Sequence, residues 1–382
     1  MLRAIALIAQ FALLALAGYN AVTAVWGWPD RAPAHKGPRR RRLRVVVPAH
    51  DEETVITGIL TDLDRAEYPA DQVKVWVIDD RSTDHTADIA MGHGANVARR
   101  VDGLAGKGAA LAWYLAQHPL DADESLVVFD ADNRIGGEVL ARIADELDAG
   151  YEALQCYLDV ANPDDSLLAE ASALSYWAGN RMVQLARSNL GWSADLGGTG
   201  MALTADLLEQ VGGFGESLTE DQELGTRIVL AGRRVEWLHD VKVRDEKPTS
   251  VGVALRQRAR WTAGKRAARR AHLGGLLRAR SPIAWDQAVR LVQPGRTFVA
   301  LVSGVLTALS AILGSPWLLP WPVWGTATLI QVLEPIPFLA RDGVPPVRLL
   351  RYPLLTLLAA LWIPVRIVSR RVDGWYHTPH GG

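Results

Sequence analysis

An uncharged apolar stretch, residues 4–26 (AIALIAQFALLALAGYNAVTAVW), constrains this chain before anything else does. It is long enough to cross the hydrocarbon core of a bilayer as one helix. A cleaved signal peptide is the competing reading, because Ala15 and Ala17 imitate a small-residue cleavage site. The apolar run continues past that point, which favours an uncleaved transmembrane anchor over residues 1–28. Arg39, Arg40, Arg41, Arg42 and Arg44 follow it. A basic cluster beside a span marks the cytoplasmic side, so the next domain is expected there, in a protein integral to the plasma membrane.

Apolar residues crowd again into the last hundred positions. Residues 297–314 (TFVALVSGVLTALSAILG) read as a second span, and the tryptophans of SPWLLPWPVW after it suit a membrane interface. Residues 323–340, with Glu334, Pro335 and Pro337, and 352–368, with Pro364 and Arg366, are weaker candidates for kinked or re-entrant spans. The region 296–370 is therefore read as a C-terminal transmembrane region and 371–382 as a tail. Arg366, Arg370 and Arg371 favour a cytoplasmic tail, hence an even number of complete spans after the domain that follows the first span.

Residues 43–250 have the pattern of a soluble α/β domain. Short apolar runs (LRVVVPA, VKVWVID, ANVAR, SLVVFD, EALQCYL) alternate with helical stretches at 52–66, 83–93, 107–117 and 137–149. That alternation implies right-handed βαβ units and a mostly parallel sheet whose strands are buried on both faces. A longer helix over 166–188 is expected on the sheet or near the membrane. Residues 255–280 carry nine Lys and Arg residues and read, within 251–295, as amphipathic interface helices. The formal net charge of −1 gives no case for nucleic-acid binding. Cys156 is the sole cysteine, so no intrachain disulfide forms.

Four clusters carry chemistry. In VIDDRSTDHT an apolar strand ends in Asp79 and Asp80, where parallel sheets bind ligands; the two carboxylates suit a nucleoside, and helix capping, by Asp84 in particular, is the structural alternative. In LVVFDADN a second strand ends in Asp130 and Asp132, two apart and so on one side of an extended segment. Such a pair can hold Mg²⁺ or Mn²⁺ while leaving positions for phosphate oxygens. In SLTEDQELGTRI, Glu220 and Asp221 open a helix after Thr219, a plausible N-cap; Asp221 is the candidate general base for an acceptor hydroxyl, with Glu220 in support. Gln257, Arg260 and Trp261 share a helix face, where an arginine can neutralise a diphosphate and a tryptophan can carry a sugar ring. Gly106-Lys107-Gly108 places a lysine at a helix start, near the base or phosphates, and Gly197–Gly200 make a flexible turn.

In this order and spacing, from about Val45 to Trp261, the motifs resemble those of family 2 glycosyltransferases. The likeness is greatest to membrane-embedded members such as cellulose synthase, hyaluronan synthase and poly-N-acetylglucosamine synthase. The resemblance implies a GT-A fold and a metal-dependent, inverting transfer from a UDP- or GDP-sugar. It places the loop of VVVPAHDEE, with Pro48, His50 and Glu52, at the nucleoside; the family's usual asparagine is here Asp51. Asp79, Asp80, Lys107 and Asp130 then belong to the nucleotide site and Asp130 and Asp132 to the metal. Asp221, Glu220 and Arg260 belong to catalysis. GGTGMAL, with Gly198 and Thr199, falls on the acceptor side, and QxxRW (Gln257, Arg260, Trp261) beside acceptor and diphosphate. WYHTP, residues 375–379, resembles a membrane-proximal tail motif of some of these synthases.

The expected reaction is growth of a polysaccharide at the membrane, processive and β-linked. The alternative is transfer of a single sugar to a lipid, either a polyprenyl phosphate or a glycolipid. An inactive scaffold and a nucleotidyltransferase are the remaining readings. So few spans would make a secretion channel dependent on a homo-oligomer or an accessory subunit.

Overall fold

The computed structural model describes residues 1–355 except 34, 35, 38 and 216, together with 357, 358 and 365. The doubtful span at 352–368 lies for the greater part outside the described residues, and the tail at 371–382, WYHTP included, lies wholly outside them.

Helix α1 (Leu2–Ala24) leads into β1 (Arg42–Ala49), α2 (Ile56–Asp64), β2 (Val73–Asp80), α3 (Thr86–Gly92), β3 (Asn96–Arg100), α4 (Lys107–Gln117) and β4 (Glu124–Val128). There follow β5 (Arg134–Ile135), α5 (Val139–Asp148), β6 (Ala153–Val160), α6 (Leu167–Gly179), a π-helical segment (Asn180–Leu185), α7 (Ala186–Asn189), β7 (Met201–Thr204) and α8 (Ala205–Gln210). After α9 (Glu220–Leu230) and β8 (Glu236–Asp245) the chain is helical: α10 (Val251–Arg278), α11 (Pro282–Val292), α12 (Arg296–Leu313), α13 (Trp321–Leu333), α14 (Pro335–Arg341) and α15 (Pro346–Leu355).

The strands form one sheet in the order β3-β2-β1-β4-β7-β6-β8-β5. β1, β2, β3 and β4 are parallel neighbours, and β6 and β8 are parallel to each other. β7 runs against both β4 and β6, and β5 against β8. The apolar runs of β1 and β4 are buried on both faces because helices cover both. Val45 and Val47 point to the core made with α2 and α5, whereas Val46 points to the core made with α4, α8 and α9. The topology also positions the site. The carboxyl ends of the parallel strands lie along one edge of the sheet, and β7, running the opposite way, starts at that edge. The turn before β7 thus joins the loops after β1, β2, β4 and β8.

Among the described residues three helical stretches, 2–27, 296–313 and 321–341, are long and apolar enough to cross a membrane. The last is α13 continuing into α14, with its break at Pro335 and Pro337. Gln10 ties α1 to the opposite end of this bundle: it donates to Trp317 O (2.8 Å) and accepts from Leu319 N (2.9 Å). Ser303 meets Gln331, and Thr307 meets Thr328, between α12 and α13. Such small and polar residues let spans approach closely.

The long helix expected over 166–188 is present but interrupted by its π segment. It packs on β6 and also on α14 and α15. The π segment turns Arg181 towards the end of α1, where it donates to Gly27 O (3.1 Å) and pairs with Asp30 (2.7 Å) and Asp342 (2.5 Å). Gly27 is needed there: a Cβ would lie 3.0 Å from the carbonyl carbon of Arg181 and nearer still to its oxygen. Helix α10 rests on α9 and α11 through a narrow line of small residues, among them Ala259, Gly264 and Ala268.

Candidate active site

One cleft of ≈ 450 Å³ opens at the carboxyl edge of the sheet. Every residue assigned from the sequence to the nucleotide, metal, catalytic or acceptor site lines it except Asp79. Side chains alternate along an extended strand, so Asp79 and Asp80 face opposite ways. Asp79 turns back to accept from Ser82 N (3.2 Å) and therefore leaves the cleft wall. Asp80 faces the cleft but is held by Arg100 (2.9 Å) and by both ends of the Arg81 guanidinium (2.9 and 3.1 Å).

The loop after β1 is locked to the loop after β2. His50 Nδ1 meets Asp80 O at 2.7 Å, and Glu52 N donates to Thr86 Oγ1 (2.8 Å). Asp51 takes a left-handed conformation (φ 54°) and accepts from Thr83 N (2.7 Å). Asn and Asp both tolerate that conformation, which explains how an aspartate replaces the family's asparagine. Asp84 accepts from Thr86 N (3.0 Å), the first amide of α3, although the N-cap position itself is His85, whose side chain makes no capping bond.

Asp130 and Asp132 follow β4. The backbone of Asp130 is fixed by Asn133 Oδ1 (2.9 Å) and Thr199 Oγ1 (3.0 Å). The turn carrying Thr199 is fixed in turn by Gln155, which accepts from Gly197 N (2.8 Å) and donates to Thr199 O (2.8 Å). Lys107, the first residue of α4, reaches across to pair with Asp130 and to donate to Gly198 O (2.8 Å). Burial would lower its pKa, yet Asp130, Glu220 and Asp221 around it hold the ammonium above its ordinary value.

Glu220 and Asp221 open α9 against the same turn. A Cβ on Gly198 (φ 85°) would lie 3.6 Å from Asp221 Oδ2 and 3.9 Å from Glu220 Oε1, so both carboxylates converge on this glycine. Burial, then the adjoining Asp221, push Glu220 up to about 7. Burial also raises Asp221, against the pull of the Gln222 N–H, Lys107 and Arg260. Thr219 does not cap the helix with its side chain. Its hydroxyl is buried without a hydrogen-bond partner, wedged beneath Gly264 of α10. Arg260 joins the two elements by donating to Leu218 O (3.0 Å).

Sequence reasoning missed the wall beyond Gln257. There Tyr176 of α6 lies 3.8 Å under the Lys247 ammonium, which pairs with Asp245 (2.6 Å). Burial raises Asp245 despite Lys247; burial would lower Lys247, yet Asp245 and Tyr176 together hold it up. Asn162 and Lys247 exchange bonds through Asn162 Oδ1 (2.7 Å) and Lys247 O (3.0 Å). The available signal was Asp245 at a strand end, but β8 is too polar to read as a strand.

Among the described residues no group of three or more His, Cys, Asp or Glu side chains forms a ready-made metal cage. Two carboxylates at the cleft, with phosphate oxygens to complete the shell, are nevertheless a donor set that Mg²⁺ or Mn²⁺ accepts. The residues fit the cation.

The pattern of the family described as "Glycosyltransferase like family 2" matches residues 38–264, more than half of the chain. The chain belongs to that family. A β-monoglucosyldiacylglycerol synthase of Nostoc sp. is 31% identical over 237 residues, covering 58% of this chain and 48% of its own. A probable glucomannan 4-β-mannosyltransferase of Arabidopsis thaliana is 24% identical, covering 58% of this chain and 42% of its own. The chain thus spans about half the length of these relatives. A mannosyltransferase from Pyrobaculum calidifontis, solved with GDP-mannose and Mn²⁺, shares the fold. Its TM-score is 0.61 at 22% identity, over 95% of this chain and 99% of that one.

Proposed function

We propose that this protein transfers one sugar, with inversion, from a UDP- or GDP-sugar to a lipid acceptor at the cytoplasmic face of the plasma membrane. The convergence of Asp130, Asp132, Glu220, Asp221 and Arg260 on one cleft carries the reading. The donor nucleoside lies along Pro48, His50, Glu52 and Asp80. Asp130 and Asp132 hold Mg²⁺ or Mn²⁺, which supplies charge neutralisation for the diphosphate. Asp221 takes the proton of the acceptor hydroxyl while that oxygen attacks the anomeric carbon. The bond to the diphosphate breaks on the opposite face, and Arg260 takes up the developing charge. One displacement inverts the configuration, so an α-linked donor yields a β-linked product. Gly198, Thr199, Gln257 and Trp261 line the acceptor side.

Two observations support a lipid acceptor. The relative that is 31% identical is named for glucosyldiacylglycerol synthesis. In addition, α6, whose Tyr176 forms the far wall of the cleft, packs its other side on α14 and α15 beside the apolar helices. Arg39, Arg40 and Arg41, between the end of α1 and β1, support a cytoplasmic catalytic domain, whereas Arg42 and Arg44 belong to β1 itself. Growth of a polysaccharide is the second reading, favoured by Gln257, Arg260 and Trp261 all reaching the cleft and by the relatives named for glucomannan.

The test uses the full chain in nanodiscs with a panel of UDP- and GDP-sugars, Mg²⁺ or Mn²⁺, and lipid acceptors. Metal-dependent release of nucleoside diphosphate with a small, lipid-soluble product supports the proposal. A high-mass product moves the assignment to polymer synthesis. No release with any donor rejects both.

A further inference from the structure

The Lys107 ammonium sits where a positive charge is most wanted in the cleft. It pairs with Asp130 and donates to Gly198 O at 2.8 Å. Glu220 and Asp221 also act on it electrostatically. Donor-side carboxylate, acceptor-side turn and base pair therefore share one cation supplied by the protein. Asp130 cannot serve that ammonium and a divalent ion equally, because both seek the same oxygens.

We propose that Lys107 is a positioning residue that guards Asp130 in the donor-free protein, so that the divalent cation enters as its complex with the nucleotide diphosphate. This inference rests on the assignment of Asp130 and Asp132 to the cation. A bare divalent ion must break a charge-assisted bond of the kind that makes a carboxylate a poor ligand. A cation carried on a diphosphate meets a different balance: the diphosphate oxygens give the displaced ammonium a new partner. Lys107 stands at the first position of α4, preceded by Gly106 in a conformation (φ 124°) that only glycine adopts readily. Its side chain can turn from Asp130 to the phosphates without moving the helix. Gly108 anchors that helix: a Cβ there would lie 2.7 Å from Glu220 Cβ and nearer still to Gly215 O.

The experiment measures Mn²⁺ binding to the nanodisc-embedded full chain by electron paramagnetic resonance, with no nucleotide and then with UDP or GDP. The wild type is expected to bind Mn²⁺ weakly until nucleotide is added. Lys107→Met should tighten nucleotide-free Mn²⁺ binding by about tenfold or more, the scale of a hydrogen bond to a charged group. Lys107→Arg, which keeps the cation, should resemble the wild type, and its melting temperature monitors folding separately from charge. Lys107→Met and wild type binding bare Mn²⁺ equally, with Asp130→Asn abolishing binding, would overturn the guarding role while leaving the metal assignment intact. Unchanged nucleotide-dependent Mn²⁺ binding in Asp130→Asn would overturn both.

Discussion

Gly264→Ala tests whether contact between α10 and the base-bearing helix sets activity. The new Cβ would lie 2.5 Å from Thr219 Cγ2 and 2.8 Å from its Cβ, nearer still to Oγ1. Ordinary contact begins at 3.4 Å. The two elements must therefore part by roughly 0.9 Å or more. Overpacking of this kind costs about 1–3 kcal/mol, offset by the ~1 kcal/mol that alanine gains over glycine inside a helix. Stability should accordingly fall by no more than about 2 kcal/mol. Activity should fall further, because Thr219 directly precedes Glu220 and Asp221, and Arg260 is bonded to Leu218 O. A displacement of about 1 Å costs on the order of 100-fold in rate. Thr219→Ala should restore much of the loss in the double variant. It removes Oγ1 and Cγ2 and sacrifices no hydrogen bond, since that hydroxyl has none. The assay is initial-rate release of nucleoside diphosphate in nanodiscs, with thermal unfolding alongside. Wild-type turnover in Gly264→Ala, or a double variant no better than the single, refutes the reasoning.

Asp221→Asn should lower kcat by about 10²–10⁴-fold, the usual scale for a lost general base, while isothermal titration shows nucleotide binding retained. The pH profile of kcat should fall on the acid side of about 7: Glu220 is pushed up to about 7 and Asp221 is also raised, so protonation silences the pair as pH drops. A limb near 4 would contradict this. Asp286→Asn should lower the melting temperature by the equivalent of about 3–5 kcal/mol, because it strips the carboxylate facing Arg187, which is 1% exposed. Unfolding followed by intrinsic fluorescence checks it.

The legible parts of the fold were those governed by local pattern. The strands β1, β2, β3, β4 and β6 are apolar runs ending in turn or acidic residues, and the helices between them lie within a few residues of the expected limits. β7 was hidden because it has four residues and follows a glycine-rich turn, so it reads as loop. β8 was hidden by its charges. It alternates buried and exposed residues, and its pairing with β6 slips between Cys156 and Tyr157, which breaks the period. The site residues were legible because carboxylates at strand ends are conspicuous. The sequence did not show which of the two adjacent aspartates faces the cleft, because that depends on the register of β2; the structure turns Asp80 to it and Asp79 away. Nothing local announces the buried group of Arg187, Asp286, Arg290, Asp195 and Tyr19, whose members come from α1, the catalytic domain and α11.

That group, taken with Gln10, bears on how the chain is made. Helix α1 is made well before its partners: Tyr19 awaits Asp286, 267 residues further on, and Gln10 awaits Leu319, 309 residues further on. The catalytic domain can close its sheet as soon as β8 is complete, because every strand pairing is made by then. The bundle cannot. Until the later helices are made, the Gln10 amide keeps its donation to Ala6 O (3.1 Å) within α1, while its oxygen lacks the Leu319 N–H and leaves a polar group without its partner on an apolar helix. The packing of α1 is therefore completed only once α11 and the turn between α12 and α13 have been made.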